Sequence, residues 1–569
     1  MNPNLQSTAQ SKDGVSRRDF LAGSVATGLV VGGGLAAFKF GYDRAEGSPV
    51  RVGVIGTGDE GSVLLGAINP DYIQVCSIAD IRPYNVWRAF HGDHSSETAL
   101  TARPGLMAKY GWQSEDEARR HVRVYENGYQ ELLDQAKADG LEGVIIALPL
   151  HLHAPAAIAA MQKGLHVLTE KLMAHSVHEC KDMARTARAT KRLLATGHQR
   201  HYNILYAQAV DAIQRGLLGK LHYIQAQWNR GNLPGKDSWQ MPIPREAKPE
   251  DRLADELEKK LNKYKAELNS ARGAAVDTWR LRMEQIKAQI ADGMIDAKRF
   301  GYQDIKVTDD SSGKVLYNGP AIEELIRWRL WDRTGAGLMA ELGSHQLDAA
   351  GIFIHAAHKL ENPEAEKPHP LNVCAAGNRP LFPPDRDIED HVYCVIEFPA
   401  PGYDPKDPYA KQKKIGVQYS SINGNGFGGY GEIVYGTEGT LILDKEQDYS
   451  LLKNSSTPSS VKVSSGGGPT LDTQASGAPT AKKSTGGSAA KVSRGYTEEL
   501  EHWAWCIRHP DPRNQPRCGP KAAMADAIIA LTTNMAARSG QRIEFKPEWF
   551  DIDSDETPEG FPPSTRSGS

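Results

Sequence analysis

The chain contains 569 residues, of which 40% are hydrophobic and 24% are charged, and its formal net charge is −3. This length predicts roughly two to four domains and enough apolar material for a large core. A charge so close to zero gives no indication of a nucleic-acid partner. The scattered cysteines form no C-x-x-C pair, which argues against a zinc or iron–sulfur site and against a disulfide framework, although isolated disulfides stay open. We therefore predict no metal site.

The N-terminus carries a twin arginine, Arg17-Arg18, directly before an apolar run rich in glycine and alanine over residues 22–38. This order is typical of a signal for the twin-arginine export route, which carries folded proteins. The run is nearly as long as the roughly 20 residues that span a bilayer, and no clean A-x-A cleavage site is visible. Residues 1–49 are therefore predicted to be either a cleaved signal or a retained membrane anchor, and the protein to be periplasmic or attached to the cell envelope.

The stretch from Val50 to Asp80 has the order of elements that a dinucleotide site requires. A buried strand over 50–55 leads into a G-x-G-x-x-G turn at 56–61, and a helix and a second strand follow before Asp80. An ordinary turn in an α/β sheet is the alternative interpretation. The flanking strands and helix favour a nucleotide site.

The turn predicts a role for each of its glycines. Gly56 allows the tight turn, Gly58 lets a pyrophosphate approach the backbone, and Gly61 lets the helix pack close to the strand. Thr57 lies within the same turn. The phosphates are expected at the free N–H groups of the helix N-terminus.

The α/β pattern continues to about residue 200. A buried strand at 143–149 and a helix at 154–163 precede a strand at 164–169, whose carboxyl end carries Glu170 and Lys171. Ligands bind at that edge of open parallel sheets. Residues 50–200 are therefore predicted to form a Rossmann domain that binds NAD or NADP.

Residues 201–550 are predicted to form a second, substrate-binding domain that becomes rich in strands after residue 371. Apolar residues recur at helical spacing in two runs, which predicts a helical insertion at about 245–300. We favour a surface decoration over a subunit contact or a substrate cap. Residues 454–490 lack large apolar side chains and are predicted to be a disordered loop. The end, 551–569, is predicted to be a loose tail.

The chain carries six motifs, namely GTGDEG at 56–61, LPLHLHAP at 148–155, TEKLMA at 169–174, GHQRHY at 197–202, GLMAELGSHQLD at 337–348 and YGTEGTL at 435–441. In this order and combination they resemble the family of glucose–fructose oxidoreductase, inositol dehydrogenase and MocA (Gfo/Idh/MocA). The resemblance covers about 50–230 and 325–550. It implies an α/β chain with an N-terminal Rossmann domain and a C-terminal α+β domain, whose large, mostly antiparallel open sheet covers the nicotinamide and holds the substrate. That sheet is also where a homo-oligomer would form.

The resemblance implies three catalytic residues. Lys171 would hydrogen-bond the reacting hydroxyl or carbonyl, because an ammonium stabilises a developing alkoxide. The family's Glu-Lys-Pro is Glu-Lys-Leu in this chain, with Leu172 in place of the proline. His345 is the natural group to take a proton from a substrate hydroxyl. Glu341 shares a helix face with His345, at a position where the family usually has Asp.

Other residues are predicted to bind the cofactor or the substrate. Pro149 and His153 match the family's segment beneath the nicotinamide. A tryptophan can stack on a sugar face, and Asn or Arg can bind hydroxyls, although packing between domains is the alternative role. The predicted cofactor-binding residues are Gly56, Thr57, Gly58, Gly61, Asp80, Arg82, Pro149, His153, Glu170 and Lys171, and the predicted substrate-binding residues are Arg200, Tyr202, Trp228, Asn229 and Arg230.

The end of the second strand favours NAD over NADP. A carboxylate at Asp80 bonds the ribose 2′-hydroxyl and repels a 2′-phosphate. Arg82 can pair with a phosphate, so NADP is the alternative. Because there is no nucleotide pool outside the cytoplasm, export predicts a tightly held cofactor that is recycled between two substrates.

These features predict an exported NAD(P)-dependent oxidoreductase that moves a hydride between the nicotinamide and a sugar, cyclitol or glycoside. The alternative is an NAD-dependent glycoside hydrolase, which oxidises its substrate transiently and then eliminates the leaving group. The third hypothesis is a non-catalytic sugar-binding relative, since a fold does not determine a function.

Overall fold

The computed structural model describes residues 40–43, 47–309, 311–453 and 493–560. The predicted signal motif and the predicted disordered loop at 454–490 lie outside the described residues. No helix of the described part is long and apolar enough to cross a membrane. All six cysteines lie in the described part and are free thiols.

The first domain is built on six parallel strands in the order β3-β2-β1-β4-β5-β6. This is the strand order of a dinucleotide-binding Rossmann fold. The central strand VRVGVI is almost wholly buried, because parallel sheets are covered by helices on both faces. The strands are β1 (Val50–Ile55), β2 (Ile73–Ala79), β3 (Arg123–Tyr125), β4 (Gly143–Ile146), β5 (His166–Glu170) and β6 (Leu194–Gly197), and the helices are α1 (Asp59–Ala67), α2 (Pro83–His91), α3 (Glu97–Ala102), α4 (Gly105–Tyr110), α5 (Glu115–His121), α6 (Tyr129–Gln135), α7 (His153–Gln162) and α8 (Val177–Thr190).

The second domain is built on an eight-stranded sheet in the order β15-β14-β13-β7-β12-β11-β10-β16. Its strand pairs are antiparallel except β7 with β12, so the predicted mostly antiparallel sheet is confirmed. Burial alternates along its strands because helices cover one face, and Tyr393 and Val395 are exposed on the other. The elements are α9 (Ile204–Gln214), β7 (Leu221–Asn229), α10 (Ala254–Ser270), α11 (Ala275–Ala291), β8 (Ile305–Thr308), β9 (Val315–Gly319), α12 (Ala321–Ile326), α13 (Asp332–Gly335), α14 (Ser344–Glu361), β10 (Asn372–Asn378), β11 (His391–Pro399), β12 (Lys414–Ile422), β13 (Tyr430–Gly436), β14 (Gly439–Asp444), β15 (Asp448–Lys453), α15 (Tyr496–Arg508), α16 (Pro520–Ser539) and β16 (Ile543–Glu544).

Helix α15 belongs structurally to the first domain, which corrects its predicted place in the second. Its Leu500 and Trp503 share a hydrophobic core with the first strand of the Rossmann sheet. Phe40 and Tyr42 join the same core, and the Tyr42 hydroxyl donates a 2.6 Å hydrogen bond to Glu501. The residues at 40–43, predicted to be part of the signal or anchor, are therefore packed into the Rossmann domain.

The helical insertion is present, and its first helix is largely exposed as the favoured surface decoration would be, whereas its second helix packs against the Rossmann domain. Helices α10 and α11 form the predicted hairpin, and the hairpin β8–β9 and helix α12 follow before the chain returns to the sheet. Helix α11 packs along α2 of the Rossmann domain. Buried polar groups hold this contact: the Gln285 side chain accepts from the backbone N–H of His94 at 2.7 Å and donates to Asp93 at 2.9 Å.

The described start of the predicted loose tail, residues 551–560, is not loose. The buried ammonium of Lys181 donates to the backbone carbonyls of Glu548, Ser554 and Glu556 at 2.7–2.9 Å. A buried charge needs such partners, and this requirement ties the segment to helix α8. Composition does not reveal the contact, because only backbone atoms accept the hydrogen bonds.

Candidate active site

The glycine turn fits a dinucleotide pyrophosphate. Gly56 has φ +85°, and a Cβ at this position would lie 2.3 Å from the carbonyl oxygen of Ala147. A Cβ on Gly61 would lie 2.1 Å from the carbonyl oxygen of Gly56, so this glycine permits the close helix packing. By contrast, a Cβ on Gly58 would meet only Asn85 at 3.7 Å, so this backbone faces open space. Helix α1 begins there without a side-chain cap, which leaves its N–H groups free for phosphate oxygens.

Asp80 is organised by the turn that it faces. Its carboxylate accepts hydrogen bonds from the backbone N–H groups of Thr57 at 2.8 Å and Arg82 at 2.9 Å, and from the side chain of Asn85 at 3.1 Å. Thr57 is fully buried and does not line the cavity, so its role is to hold Asp80. The carboxylate itself lines the cavity and is positioned for a ribose diol.

One cavity of about 830 Å³ joins the glycine turn to the second domain. It runs from the carboxyl ends of the Rossmann strands to the start of helix α14, and residues of the insertion line one side. The cavity brings together most of the predicted site, namely Gly56, Gly58, Asp80, Arg82, Pro149, Glu170, Lys171, Trp228, Arg230, Glu341 and His345.

Lys171 lies at the end of strand β5 and reaches across to the second domain. Its ammonium donates to the backbone carbonyl of Glu341 at 2.8 Å and lies 3.9 Å from the carboxylate of the same residue. The peptide bond between Lys171 and Leu172 is cis. Lys171 and Glu341 are both nearly buried but line the cavity, so the ammonium is within reach of a ligand held there.

Glu341 is held as a carboxylate. Burial raises its pKa, but the charges of Lys171 and Arg329 outweigh burial and leave the pKa below its ordinary value. Arg329 donates a 2.8 Å hydrogen bond to this carboxylate from its Nε atom. Glu341 lies in a π-helical turn, Met339–Gly343, that runs directly into helix α14. A carboxylate fixed in this way orients the lysine and is a poor proton acceptor.

His345 is a neutral imidazole in the cavity wall. Burial lowers its pKa well below the ordinary value, and the charges of Lys171 and Arg200 lower it further. Its Nδ1 atom has no hydrogen-bond partner among the described residues. The ring lies 5.5 Å from the ring of Trp228, centroid to centroid. The half-buried ring lines the cavity, where a neutral imidazole can accept a proton.

A pair of buried acids lies behind Lys171. Burial raises the pKa of Glu170 to about 8, and the nearby carboxyl of Glu60 adds to this shift. Burial also raises the pKa of Glu60. Two neighbouring carboxyls in such a site retain a proton, because ionising both would place two negative charges close together away from water. Near neutral pH this part of the wall therefore holds a protonated carboxyl.

Two predicted substrate-binding residues do not reach the cavity. Arg200 is 1% exposed and pairs with Glu432 and Glu446, each at 2.9 Å. It also donates to the backbone carbonyl of His345 at 2.6 Å, so it positions the histidine. Tyr202 is also 1% exposed. Its hydroxyl is bound inside the protein, because it accepts from the backbone N–H of Arg517 at 2.9 Å.

Two further predicted residues have structural contacts instead. Asn229 donates to the backbone carbonyl of Phe427 at 3.0 Å and is not part of the cavity wall. His153 is buried behind the wall, with its ring nitrogens 2.8 Å from the carbonyl oxygens of Leu148 and Leu172. It therefore braces the loop that carries Lys171. Both residues fall next to lining residues in the sequence, and the sequence cannot tell which neighbour turns inward.

Sequence reasoning missed several residues of the wall. Arg329 and Trp328 come from the segment after the insertion, and the Arg329 guanidinium lies 4.3 Å from the Trp328 ring centroid. Arg494 and Tyr496 enter from the start of helix α15. The resemblance carried no motif over these stretches, and a paired arginine near a tryptophan has no distinctive spacing in the sequence.

A buried cluster behind His345 has the atoms of a metal site but already contains a cation. His201, Asp348 and Asp526 bring ligand atoms together. The ammonium of Lys367 lies 2.8 Å from Asp526 and 3.6 Å from Asp348. The lysine supplies the positive charge that these carboxylates require, so the donor set does not fit a metal ion.

Comparison with known proteins agrees with this geometry. Residues 50–198 match the model of the Gfo/Idh/MocA family, described as an oxidoreductase family with an NAD-binding Rossmann fold. Over these residues the chain is similar to the Gfo/Idh/MocA oxidoreductases and carries their NAD-binding Rossmann domain. The matched residues cover the whole six-stranded sheet, including the glycine turn, Asp80 and Lys171.

A solved structure with a similar fold covers most of the chain. An inositol dehydrogenase homolog from Azotobacter vinelandii, complexed with NAD⁺, superposes with a TM-score of 0.52. The match covers 88% of this chain and 99% of that chain, at 14% sequence identity. At this level of identity the likeness extends to the fold, including the second sheet.

Two curated relatives of this chain are named as glycosyl hydrolases rather than as oxidoreductases. A "Glycosyl hydrolase family 109 protein" from Stenotrophomonas maltophilia is 31% identical over 219 residues, which are 37% of this chain and 42% of the relative. Another from Solibacter usitatus is 23% identical over 223 residues, 38% of this chain and 46% of the relative. The chain therefore spans less than half the length of these curated relatives.

Proposed function

We propose that this protein is an NAD-dependent oxidoreductase that transfers a hydride between the nicotinamide and a hydroxyl or carbonyl of a sugar, cyclitol or glycoside. The convergence of Lys171, Glu341 and His345 in one cavity with the glycine turn carries the proposal. This cavity of about 830 Å³ extends from the glycine turn to His345. Any other function has to explain why the ammonium of Lys171 and the neutral imidazole of His345 line the same cavity.

The residues present fit NAD at the glycine turn, at Asp80 and at the segment around Pro149. When bound there, NAD supplies the hydride acceptor or donor, and the protein supplies position and charge. Lys171 donates a hydrogen bond to the substrate oxygen and stabilises negative charge on it. Its own orientation is secured by the carbonyl and carboxylate of Glu341.

His345 accepts the proton that leaves the substrate hydroxyl. The imidazole is neutral because of its burial, so it is in the basic form at working pH. Arg200 fixes the backbone at this residue through its bond to the carbonyl oxygen, and the Glu432–Arg200–Glu446 pairs keep the arginine in place. The proton is therefore accepted by a histidine whose backbone the second domain holds in place.

The wall beyond His345 is suited to a sugar. Trp228 lines the cavity and stacks on Tyr430, with 4.4 Å between ring centroids, which fixes the indole plane. Arg230 lies over the ring of Trp239 at 5.3 Å and donates to Ser238 at 2.9 Å. A flat aromatic surface beside a guanidinium binds the apolar face and the hydroxyls of a sugar.

The test is turnover by Lys171→Ala on a substrate found by a sugar and glycoside screen. The expected result is a loss of turnover of about a hundredfold or more, as for removal of a charge-stabilising donor. Lys163→Ala is the matched control, because Lys163 is a surface lysine of the same domain, paired with Asp134. Unchanged turnover in Lys171→Ala would remove the proposed role of the lysine.

The second candidate function is NAD-dependent glycoside hydrolysis, which the names of the curated relatives favour. The same groups serve it, since transient oxidation of the sugar needs the same proton acceptor. A nitrophenyl glycoside incubated without added nucleotide separates the two. Phenol release without net NADH formation supports hydrolysis, whereas no release, with NADH formed from a free sugar, supports the dehydrogenase. Turnover of any sugar excludes a non-catalytic binding role.

We also propose that the protein is exported, on the twin arginine at Arg17-Arg18, and that it holds its nucleotide tightly. An exported enzyme cannot draw on the cytoplasmic pool, so it would alternate between oxidising one substrate and reducing another. Mass spectrometry of the purified protein is expected to show stoichiometric nucleotide. An empty site with nucleotide exchange in the micromolar range would contradict this part of the proposal.

A further inference from the structure

The insertion places a buried carboxylate behind the loop that follows strand β2, next to the end of the nucleotide groove where Asp80 lies. Asp292 follows the last residue of helix α11 and has no exposed surface. Both Nε and Nη2 of Arg82 lie 2.8–2.9 Å from its Oδ2 atom. Its Oδ1 atom accepts the backbone N–H of Tyr84 at 3.1 Å. The carboxylate is thus fully bonded to the loop that follows strand β2.

The contact with Asp292 engages Arg82, the residue of this loop that would otherwise attract the 2′-phosphate of NADP. In dinucleotide-binding domains an arginine near the end of the second strand accommodates the 2′-phosphate of NADP. Arg82 stands two residues beyond Asp80 and lines the cavity. Because its Nε and Nη2 groups are turned to Asp292, they are not presented to the ribose.

The charges of Asp80, Arg82 and Asp292 sum to a negative value. Asp80 and Asp292 each contribute −1 and Arg82 contributes +1, which leaves a formal −1 beside the ribose. Burial raises the pKa of Asp292, and the adjacent guanidinium of Arg82 opposes that effect. An arginine at 2.8 Å favours the ionised carboxylate.

The neighbouring arginines are also paired. Arg88 lies 2.8 Å from Asp59 and 3.4 Å from Asp93, and Arg103 lies 3.2 Å from Asp93. Arg299 of the insertion also lines the cavity, but it is exposed and donates to the side chain of Asn127 at 3.3 Å. No arginine on the loop and helix that follow strand β2 therefore has a free charge.

We propose that Asp292 makes the nucleotide site selective for NAD, by holding Arg82 away from the ribose and balancing its charge, so that the carboxylate of Asp80 faces the ribose unopposed. The insertion is then a specificity element of the cofactor site. This inference rests on the nucleotide site of the proposed function, but it concerns nucleotide binding and is independent of which sugar reacts.

The experiment removes the nucleotide that co-purifies with the protein and then measures the affinities for NADH and NADPH by quenching of tryptophan fluorescence. Wild type is expected to bind NADH more tightly. Asp292→Asn releases Arg82 and removes a charge, so its NADPH affinity is expected to rise about tenfold relative to NADH, as for one new charge-assisted contact. Adding Arg82→Ala to Asp292→Asn is expected to abolish that gain.

Two controls separate charge from folding. Asp296→Asn removes a carboxylate from an exposed position of the same insertion and is expected to leave the affinity ratio unchanged. Asp292→Glu keeps the charge and is expected to keep the discrimination. Thermal unfolding of each variant shows whether the insertion still docks.

Equal affinities in wild type, or a preference for NADPH, would overturn the inference even if Asp292→Asn failed to fold. An unchanged ratio in a folded Asp292→Asn variant would overturn it as well. If wild type bound neither nucleotide, the proposed function would fall together with the inference. Loss of sugar turnover with NAD selectivity intact would affect the proposed function and leave the inference standing.

Discussion

The two ends of the cavity are built in different ways. At the cofactor end a continuous stretch, residues 56–80, supplies the turn, the helix N-terminus and the carboxylate. At the substrate end the wall is assembled from strand β7, the segment before α14, the start of α14 and the start of α15. The geometry of the cofactor end is determined by local backbone structure, whereas the geometry of the substrate end depends on packing between segments that are distant in the chain.

The largest expected effect concerns the substrate end. His345→Ala removes the proton acceptor and should lower turnover by about a hundredfold to ten-thousandfold, the usual range for general base catalysis. Nucleotide affinity should stay unchanged, because the turn and Asp80 are not touched. His358→Ala, on the same helix and bound to the Pro399 carbonyl, is the matched control. Full turnover in His345→Ala would contradict the assignment.

Arg200 gives the next largest effect, on folding. Arg200→Ala leaves the buried Glu432 without a cation and leaves Glu446 paired with Arg494 alone, so the free energy of unfolding should fall by about 3–5 kcal/mol. Arg215→Ala breaks an exposed pair with Asp211 and should cost no more than about 1 kcal/mol. Urea unfolding of both variants checks this difference. A stable Arg200→Ala variant with only a raised KM would restore the predicted substrate role.

The glycine turn allows a sharper comparison within the cofactor end. Gly56→Ala places a methyl 2.3 Å from a backbone oxygen at φ +85°, so the free energy of unfolding should fall by roughly 1–3 kcal/mol. Gly58→Ala meets no backbone atom within 4 Å and should leave stability within about 0.5 kcal/mol.

The same two variants differ in binding. Gly58→Ala projects a methyl into the groove and should weaken nucleotide affinity by about tenfold, or 1.4 kcal/mol. Thermal unfolding and fluorescence titration separate the two outcomes. If Gly58→Ala bound nucleotide as tightly as wild type, the pyrophosphate would not lie at this turn.

The smallest expected effect is a dependence of stability on pH. The pKa of Glu170 is raised by burial from its ordinary value to about 8. The folded state therefore binds this proton more tightly, and the contribution to stability is fully present below the unfolded pKa and is lost as pH rises towards 8. Glu170→Gln should flatten this decline, whereas Glu97→Gln, at an exposed position, should not. An identical decline in Glu170→Gln would assign the effect to another group.

The contrast between the two ends also explains what the sequence predicts. The glycine turn, Asp80 and the Rossmann order are visible because strand, turn and helix are consecutive. Arg200 and His345 are 145 residues apart, and their contact is a bond from a guanidinium to a backbone oxygen, which leaves no side-chain pattern. Asp292 and Arg82 are 210 residues apart in the chain. An apolar stripe predicts the helix of the insertion but not the surface against which it packs.

The most direct measurement is a single-turnover experiment on protein loaded with NAD and mixed with a sugar or glycoside substrate. The absorbance of the reduced nicotinamide is expected to rise in wild type, whether the oxidised sugar is released or goes on to eliminate its leaving group. His345→Ala should show no such rise although its nucleotide remains bound. An equal rise in both proteins, or no nucleotide binding by wild type, would contradict a shared cavity in which this chain positions NAD and the sugar together.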